Sequence, residues 1–228
     1  MAVDLTMLTL SFGKSFLLVL ATLLPILNPA AMSPIFLGLT EGATQSTRAT
    51  LARRIARNMV LMMVGAMLIG SYVLDMFGIS LPIVRVAGGT IIAANAWRLL
   101  SVDQSSSDGR QALAEGFTPE MARTHAFYPM TFPISVGPGS IAAAITIGVT
   151  LHETHLALSL ARFAGGVTAL VVIGAVMFLA FGYAKTLLRP LGETGIMVFL
   201  RLSAFILLCL GVQIVWDGLS ELLRVVLA

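Results

Sequence analysis

Charge is what this chain has least of. Of its 228 residues only 11% are Asp, Glu, Lys or Arg, whereas a soluble domain carries about 25%. That scarcity excludes a disordered tail, a coiled coil and nearly every class of soluble enzyme. Cysteine is almost absent as well. Cys209 stands alone inside an apolar run, so no intrachain disulfide can form. The net charge is only +3, and the basic residues lie between apolar runs rather than in a patch. A pI of about 9.5 therefore does not point to nucleic acid. What the chain does have is apolar mass: 57% hydrophobic residues and a mean hydropathy of +0.95. This is the composition of a polytopic membrane protein.

A membrane-spanning helix needs roughly 20 mainly apolar residues. Six stretches meet that requirement, at about 15–39, 58–78, 81–100, 126–150, 163–184 and 197–219. They are continuous runs rich in Leu, Ala, Met and Gly, which excludes the alternating pattern of barrel strands. The expected fold is an all-α membrane protein of six transmembrane helices. A polar stretch from Ser101 to Thr124 reads as a cytoplasmic linker, with a short helix around Gln111–Glu115. It separates a first three-helix unit, 1–100, from a second, 125–228.

Lys and Arg favour the cytoplasmic side of a membrane. With the N-terminus outside, the inner side collects Arg48, Arg53, Arg54, Arg57, Arg98, Arg110, Arg123, Lys185, Arg189 and Arg201. The outer side keeps Lys14, Arg85, Arg162 and Arg224. Both termini are therefore expected outside. A cleaved signal peptide fits the first segment poorly. Its lone early cation, Lys14, follows apolar residues, and the apolar run continues past any cleavage point.

The two halves repeat one another. Pro25, Pro29 and Pro34 map onto Pro129, Pro133 and Pro138 at a constant offset of 104. The same offset carries Ile69-Gly70 onto Ile173-Gly174 and Phe77-Gly78 onto Phe181-Gly182. Arg85 maps onto Arg201 at an offset of 116, placing extra residues in a loop around Lys185 to Gly195. Three helices per repeat is an odd number, so the second half must run inverted. Inverted repeats with Pro/Gly-interrupted helices at matching positions are a common plan of secondary transporters, and the interruptions mark the binding site.

Both halves have such an interruption. The first reads Asn28-Pro29-Ala30-Ala31-Met32-Ser33-Pro34 and the second Gly137-Pro138-Gly139-Ser140. Each proline lacks an N–H and crowds the preceding turn, and the freed backbone groups cannot face lipid. Half-helices are expected to start near Pro34 or Ile35 and after Pro138, with preceding halves ending near Leu27 and Phe132. Their N-terminal amides suit a carboxylate, and the C-terminal carbonyls suit an ammonium group. Asn28, Ser33 and Ser140 would orient such a zwitterion. Packing alone can also account for proline kinks.

Arg85 opens the third span, with Gly88, Gly89 and Asn95 expected on one buried face; Arg201 opens the sixth. The two arginines read either as symmetric gates or as snorkelling interfacial residues, and Asp75 as interfacial. His152-Glu153-Thr154-His155 lacks the spacing of the zinc motif H-E-x-x-H and reads as a solvated loop. No Ser/His/Asp cluster or phosphate loop occurs, so neither enzyme activity nor a metal or other cofactor is expected.

Four segments carry a family resemblance: Asn28-Pro29 through Pro34-Ile35-Phe36-Leu37, Phe77-Gly78-Ile79-Ser80 through Arg85-Val86-Ala87-Gly88-Gly89, Pro133 through Gly137-Pro138-Gly139, and Arg201-Leu202 through Gly211-Val212-Gln213. Together they resemble the MarC family of integral inner-membrane proteins, which includes transporters of glycine and alanine. The resemblance implies six helices with discontinuous first and fourth helices around a central site. It assigns that site to Asn28, Pro29 and their neighbours, with Gly137, Pro138 and Gly139 opposite. Many members carry Asn-Pro-x-Gly at the first break, where this chain has Ala31.

The expected function is a secondary transporter of a small neutral amino acid in a bacterial inner membrane. Its partners would be that small molecule and the lipid bilayer, not nucleic acid. The coupling ion, proton or sodium, and the oligomeric state are not legible. A channel predicts a continuous polar lining that the sequence lacks. A lipid-handling or structural membrane protein is the alternative of a different class.

Overall fold

The computed structural model describes residues 4–40, 42–101 and 126–227, and these are helical with no strand among them. The linker and the short helix expected within it fall outside the described residues, except that Ser101 ends a helix. In chain order the elements are α1 (Leu5–Leu27), α2 (Pro29–Leu39), α3 (Gln45–Met76), α4 (Leu81–Ser101), a proline-distorted segment α5 (Ala126–Ser135), α6 (Pro138–Thr150), α7 (Leu156–Gly182), a short α8 (Ala184–Leu188) and α9 (Gly192–Leu227). A turn of tighter helix, Arg189–Leu191, joins α8 to α9.

Five stretches are long and apolar enough to cross a membrane: Leu5–Leu39, Gln45–Met76, Leu81–Ser101, Leu156–Gly182 and Thr194–Arg224. A sixth is made if α5 and α6, bent by 73°, count as one span. The helices outrun the apolar stretches read from sequence. α3 begins at Gln45 rather than near residue 58 because Thr44 Oγ1 accepts from the Thr47 amide at 3.2 Å and caps it. The loop expected around Lys185 to Gly195 is instead helical, interrupted only where Pro190 tightens the turn.

The core follows four-residue stripes, since residues four apart share a helix face. On α1 these are Val19, Leu23 and Leu27; on α3, Leu51, Ile55, Met59, Met63 and Met67; on α7, Ile173, Met177 and Phe181. All are buried in one cluster. α7 packs against both α1 and α3, and α3 against α5 and α6. α4 and α9 form the most extensive pair, crossing closely at glycine. A Cβ on Gly89 would stand 2.8 Å from the Gly211 carbonyl oxygen, closer than packed atoms allow. Their shared contact is a small cluster of Ile92, Ala96 and Leu207.

Candidate functional site

The first interruption is one residue wide. Asn28 separates α1 from α2 at φ 42°, ψ 61°, a left-handed conformation that Asn tolerates because its short amide bonds locally. Its Oδ1 accepts from the Ala31 amide at 3.2 Å, which caps α2. Pro29 follows at the first helical position, where a missing N–H is no loss. The second half-helix therefore starts at Pro29, not near Pro34 or Ile35. Pro34 lies inside α2; the carbonyl it cannot serve belongs to Ala30, which is exposed between buried Pro29 and Ala31.

The second interruption is broader. Within α5, Tyr128 (φ −116°, ψ 126°) and Phe132 (φ −117°, ψ 127°) leave the helical region, each directly before a proline that forces an extended neighbour. The segment nevertheless continues past Phe132 to Ser135. Hydroxyls tie the distorted turns back on themselves: Thr131 Oγ1 donates to the Ala126 carbonyl at 2.6 Å and Ser135 Oγ to that of Met130 at 2.7 Å. Such side-chain repair lets a broken helix persist where water is excluded.

The two helix starts differ electrostatically. α2 carries its own cap, whereas at α6 Gly137 offers no side chain and Pro138 no N–H. Ser140 Oγ turns back to the Gly137 carbonyl at 2.8 Å. Gly139 and Ser140 are buried, Gly137 is half-buried and Pro138 exposed, so α6 starts at a partly open end without a side-chain cap. That is the arrangement that attracts an anion. α2 touches α5 and α1 touches α6, so both interruptions belong to one bundle.

Not every candidate points inward. A Cβ on Gly139 would collide with Ile92 and stand 2.9 Å from the Gly88 carbonyl oxygen; one on Gly88 would collide with Ala142. These two glycines let α4 and α6 touch. The space beside Gly137 is open, its nearest neighbour being the Pro133 carbonyl oxygen at 3.8 Å. Ser33 is buried with its hydroxyl engaged by the Pro29 carbonyl at 2.8 Å. Asn95 is exposed rather than buried beside the glycines. The inward stripe of α4 runs through Gly88, Ile92 and Ala96, which turns Asn95 outward. Arg85 pairs with Glu221 of α9, while Arg201 is exposed.

Two clefts open at the bundle's ends. One of about 330 Å³ is walled by Tyr72, Asp75, Ile79, Val149 and His152. There the His152 ring meets Phe163 edge-on at 5.0 Å, and Glu153 pairs with Arg162 at 2.5 Å. The other, about 400 Å³, lies between α2 and the α8–α9 junction.

A protein-family model described as MarC family integral membrane protein matches residues 13–223. The chain belongs to the MarC family. Inner membrane protein MarC of Escherichia coli K12 is 29% identical over 217 residues, which is 94% of this chain and 98% of the relative. The Shigella flexneri protein of the same name matches to the same extent. No solved structure matches the chain. With its five or six apolar spans, this MarC-family chain is a multi-pass inner-membrane protein.

Several residues that hold this MarC-family bundle together escaped the sequence reading. Arg48, counted only as an inner-side cation, is buried and donates to the Thr40 carbonyl at 2.8 Å and to Thr40 Oγ1 at 3.2 Å. It thus satisfies the C-terminal end of α2. Gln45 Nε2 donates to the Gly182 carbonyl at 2.8 Å and ties α3 to the end of α7. Thr131 and Ser135 were visible as polar residues between prolines; the signal that marks their role is a hydroxyl placed two residues after each proline.

Proposed function

We propose that this protein is a secondary transporter of a small neutral amino acid of the glycine/alanine class. It works by alternating access between two inverted three-helix repeats, with both termini outside. The observation that carries the reading is the uncapped start of α6 at Gly137-Pro138-Gly139, where the space beside Gly137 is open, set in the same bundle as the interruption at Asn28. The amides at α6 would hold the carboxylate. The exposed Ala30, whose carbonyl Pro34 leaves without its helical partner, supplies an acceptor for the ammonium group. Asn28 would donate through its Nδ2 while its Oδ1 keeps α2 capped. Recognition would thus be mostly backbone, as suits a substrate with almost no side chain.

A structural or lipid-handling role has one observation in its favour. The Ser33 and Ser140 hydroxyls are turned to backbone carbonyls, so in this conformation they serve the helices rather than a ligand. Uptake and counterflow of labelled glycine and alanine in proteoliposomes separates the readings. Saturable flux, lost in folded Gly137→Leu, supports transport at this site. Folded wild-type protein without flux under imposed proton or sodium gradients overturns it for these two substrates.

A further inference from the structure

The junction between α7 and α9 has three faces. Ala184 and Leu188 are buried in the bundle, while Leu187 and Leu191 are 54% and 44% exposed. Lys185 and Arg189, again four residues apart, form a third row that borders the second cleft. The exposed leucines and the adjacent cations give this short segment the two-sided character of an element lying in a membrane interface.

The cleft beside it has a matching division. Its apolar walls are Pro34 and Leu37 of α2, Leu188 of α8 and Ile196 of α9, and its cations are Lys185 and Arg189. Its volume, about 400 Å³, is that of a small-ligand site. We propose that this cleft binds a phosphate-bearing anion, supplied by the headgroup of an anionic phospholipid. The Arg189 guanidinium matches the phosphate oxygens in pairs and Lys185 adds a compact charge. The first acyl carbons lie against Pro34, Leu37 and Ile196. Basic hollows between membrane helices take anionic headgroups in this way. The occupant bridges α2, the half-helix that follows Asn28, to the start of α9. It shares Pro34 with the segment after the first interruption, but its charge comes from Lys185 and Arg189, and it does not depend on what the protein transports.

Native mass spectrometry of the full chain tests the proposal, with phosphatidylglycerol, phosphatidylcholine and inorganic phosphate as probes. Each cation near an anionic headgroup is worth about fivefold in affinity. The double variant Lys185→Gln/Arg189→Gln should therefore bind phosphatidylglycerol roughly 25-fold more weakly. Phosphatidylcholine binding should not change. Arg224→Gln, at the far end of α9, should behave as wild type, and Lys185→Arg/Arg189→Lys should retain most binding even if the double neutral variant folds poorly. Phosphatidylglycerol that resists millimolar phosphate identifies the lipid as the source; displacement identifies the free anion at the same site. Wild-type occupancy in the folded double variant, or equal binding of the two lipids, overturns the proposal.

Discussion

Ser33 Oγ lies 3.1 Å from the carbonyl oxygen of Ala180 and joins α2 to α7 inside the bundle. One turn further along, the Phe36 and Phe181 rings stack at 4.6 Å with 12° between their planes. A hydrogen bond and an aromatic stack thus fix the half-helix after the first interruption to a long, buried span. Replacing Ser33 by Ala removes the one hydroxyl proton that the Pro29 and Ala180 carbonyls share. The expected loss is about 1 kcal/mol, typical of a net hydrogen bond. Ser33→Ala and Phe36→Leu should be non-additive because both hold the same pair of helices. Denaturant unfolding in detergent checks this, and strictly additive losses would show that the two contacts act independently.

Asn28 separates geometry from chemistry. Its φ of 42° costs glycine little, but an alanine there would cost roughly 1–2 kcal/mol in backbone strain, and loss of the cap about 1 kcal/mol more. Asn28→Gly should therefore be clearly more stable than Asn28→Ala in thermal unfolding. Under the transport proposal, Asn28→Gly also loses the Nδ2 donor and should lower glycine flux about fivefold, the value of one hydrogen bond. Wild-type flux in Asn28→Gly would mean that the amide serves α2 and not the substrate.

An all-helical chain with five or six spans was legible because apolar runs of membrane length are a strong signal. The general location of the disturbed helices was legible from proline, although Pro25 and Pro34 lie inside α1 and α2 without ending them. The detail of the interruptions was not. Whether Pro29 starts a helix or breaks one depends on the residue before it, and Asn28 can adopt the left-handed conformation that makes Pro29 a start. The direction of Asn95 was misread because glycines at 88 and 89 suggest a face without saying which neighbour it meets. α6 and α9 approach α4 from different sides, Gly88 meeting Ala142 and Gly89 meeting Gly211, and the inward stripe passes to Ala96. Arg48 was legible only as an inner-side cation because its acceptor, a helix-terminal carbonyl at Thr40, leaves no pattern in sequence.

Arg85 and Glu221 link the start of α4 to the end of α9. Their side chains are 21% and 47% exposed, so solvent screens the pair and its contribution stays below about 1 kcal/mol. Arg85→Gln and Glu221→Gln should each produce only a small drop in unfolding midpoint. The exchange Arg85→Glu/Glu221→Arg should recover most of it. A swap that instead abolishes flux while restoring stability would give Arg85 a role in transport beyond its ion pair.

Two glycines separated by a single proline should respond in opposite ways to bulk. At Gly139 a side chain would collide with Ile92 and crowd the Gly88 carbonyl, forcing α4 away from α6. Overpacking of this kind costs about 1–3 kcal/mol, occasionally more, so Gly139→Leu should lower stability and lose flux through misassembly. At Gly137, φ is −91° and the nearest atom stands 3.8 Å from a new Cβ. Gly137→Leu should therefore fold with nearly wild-type stability. Its side chain would nonetheless stand beside the uncapped amides of α6, where the carboxylate is proposed to sit. Flux should fall at least tenfold in a protein whose unfolding curve hardly moves. If Gly137→Leu transports normally, the start of α6 is not the substrate site, whatever Gly139→Leu does.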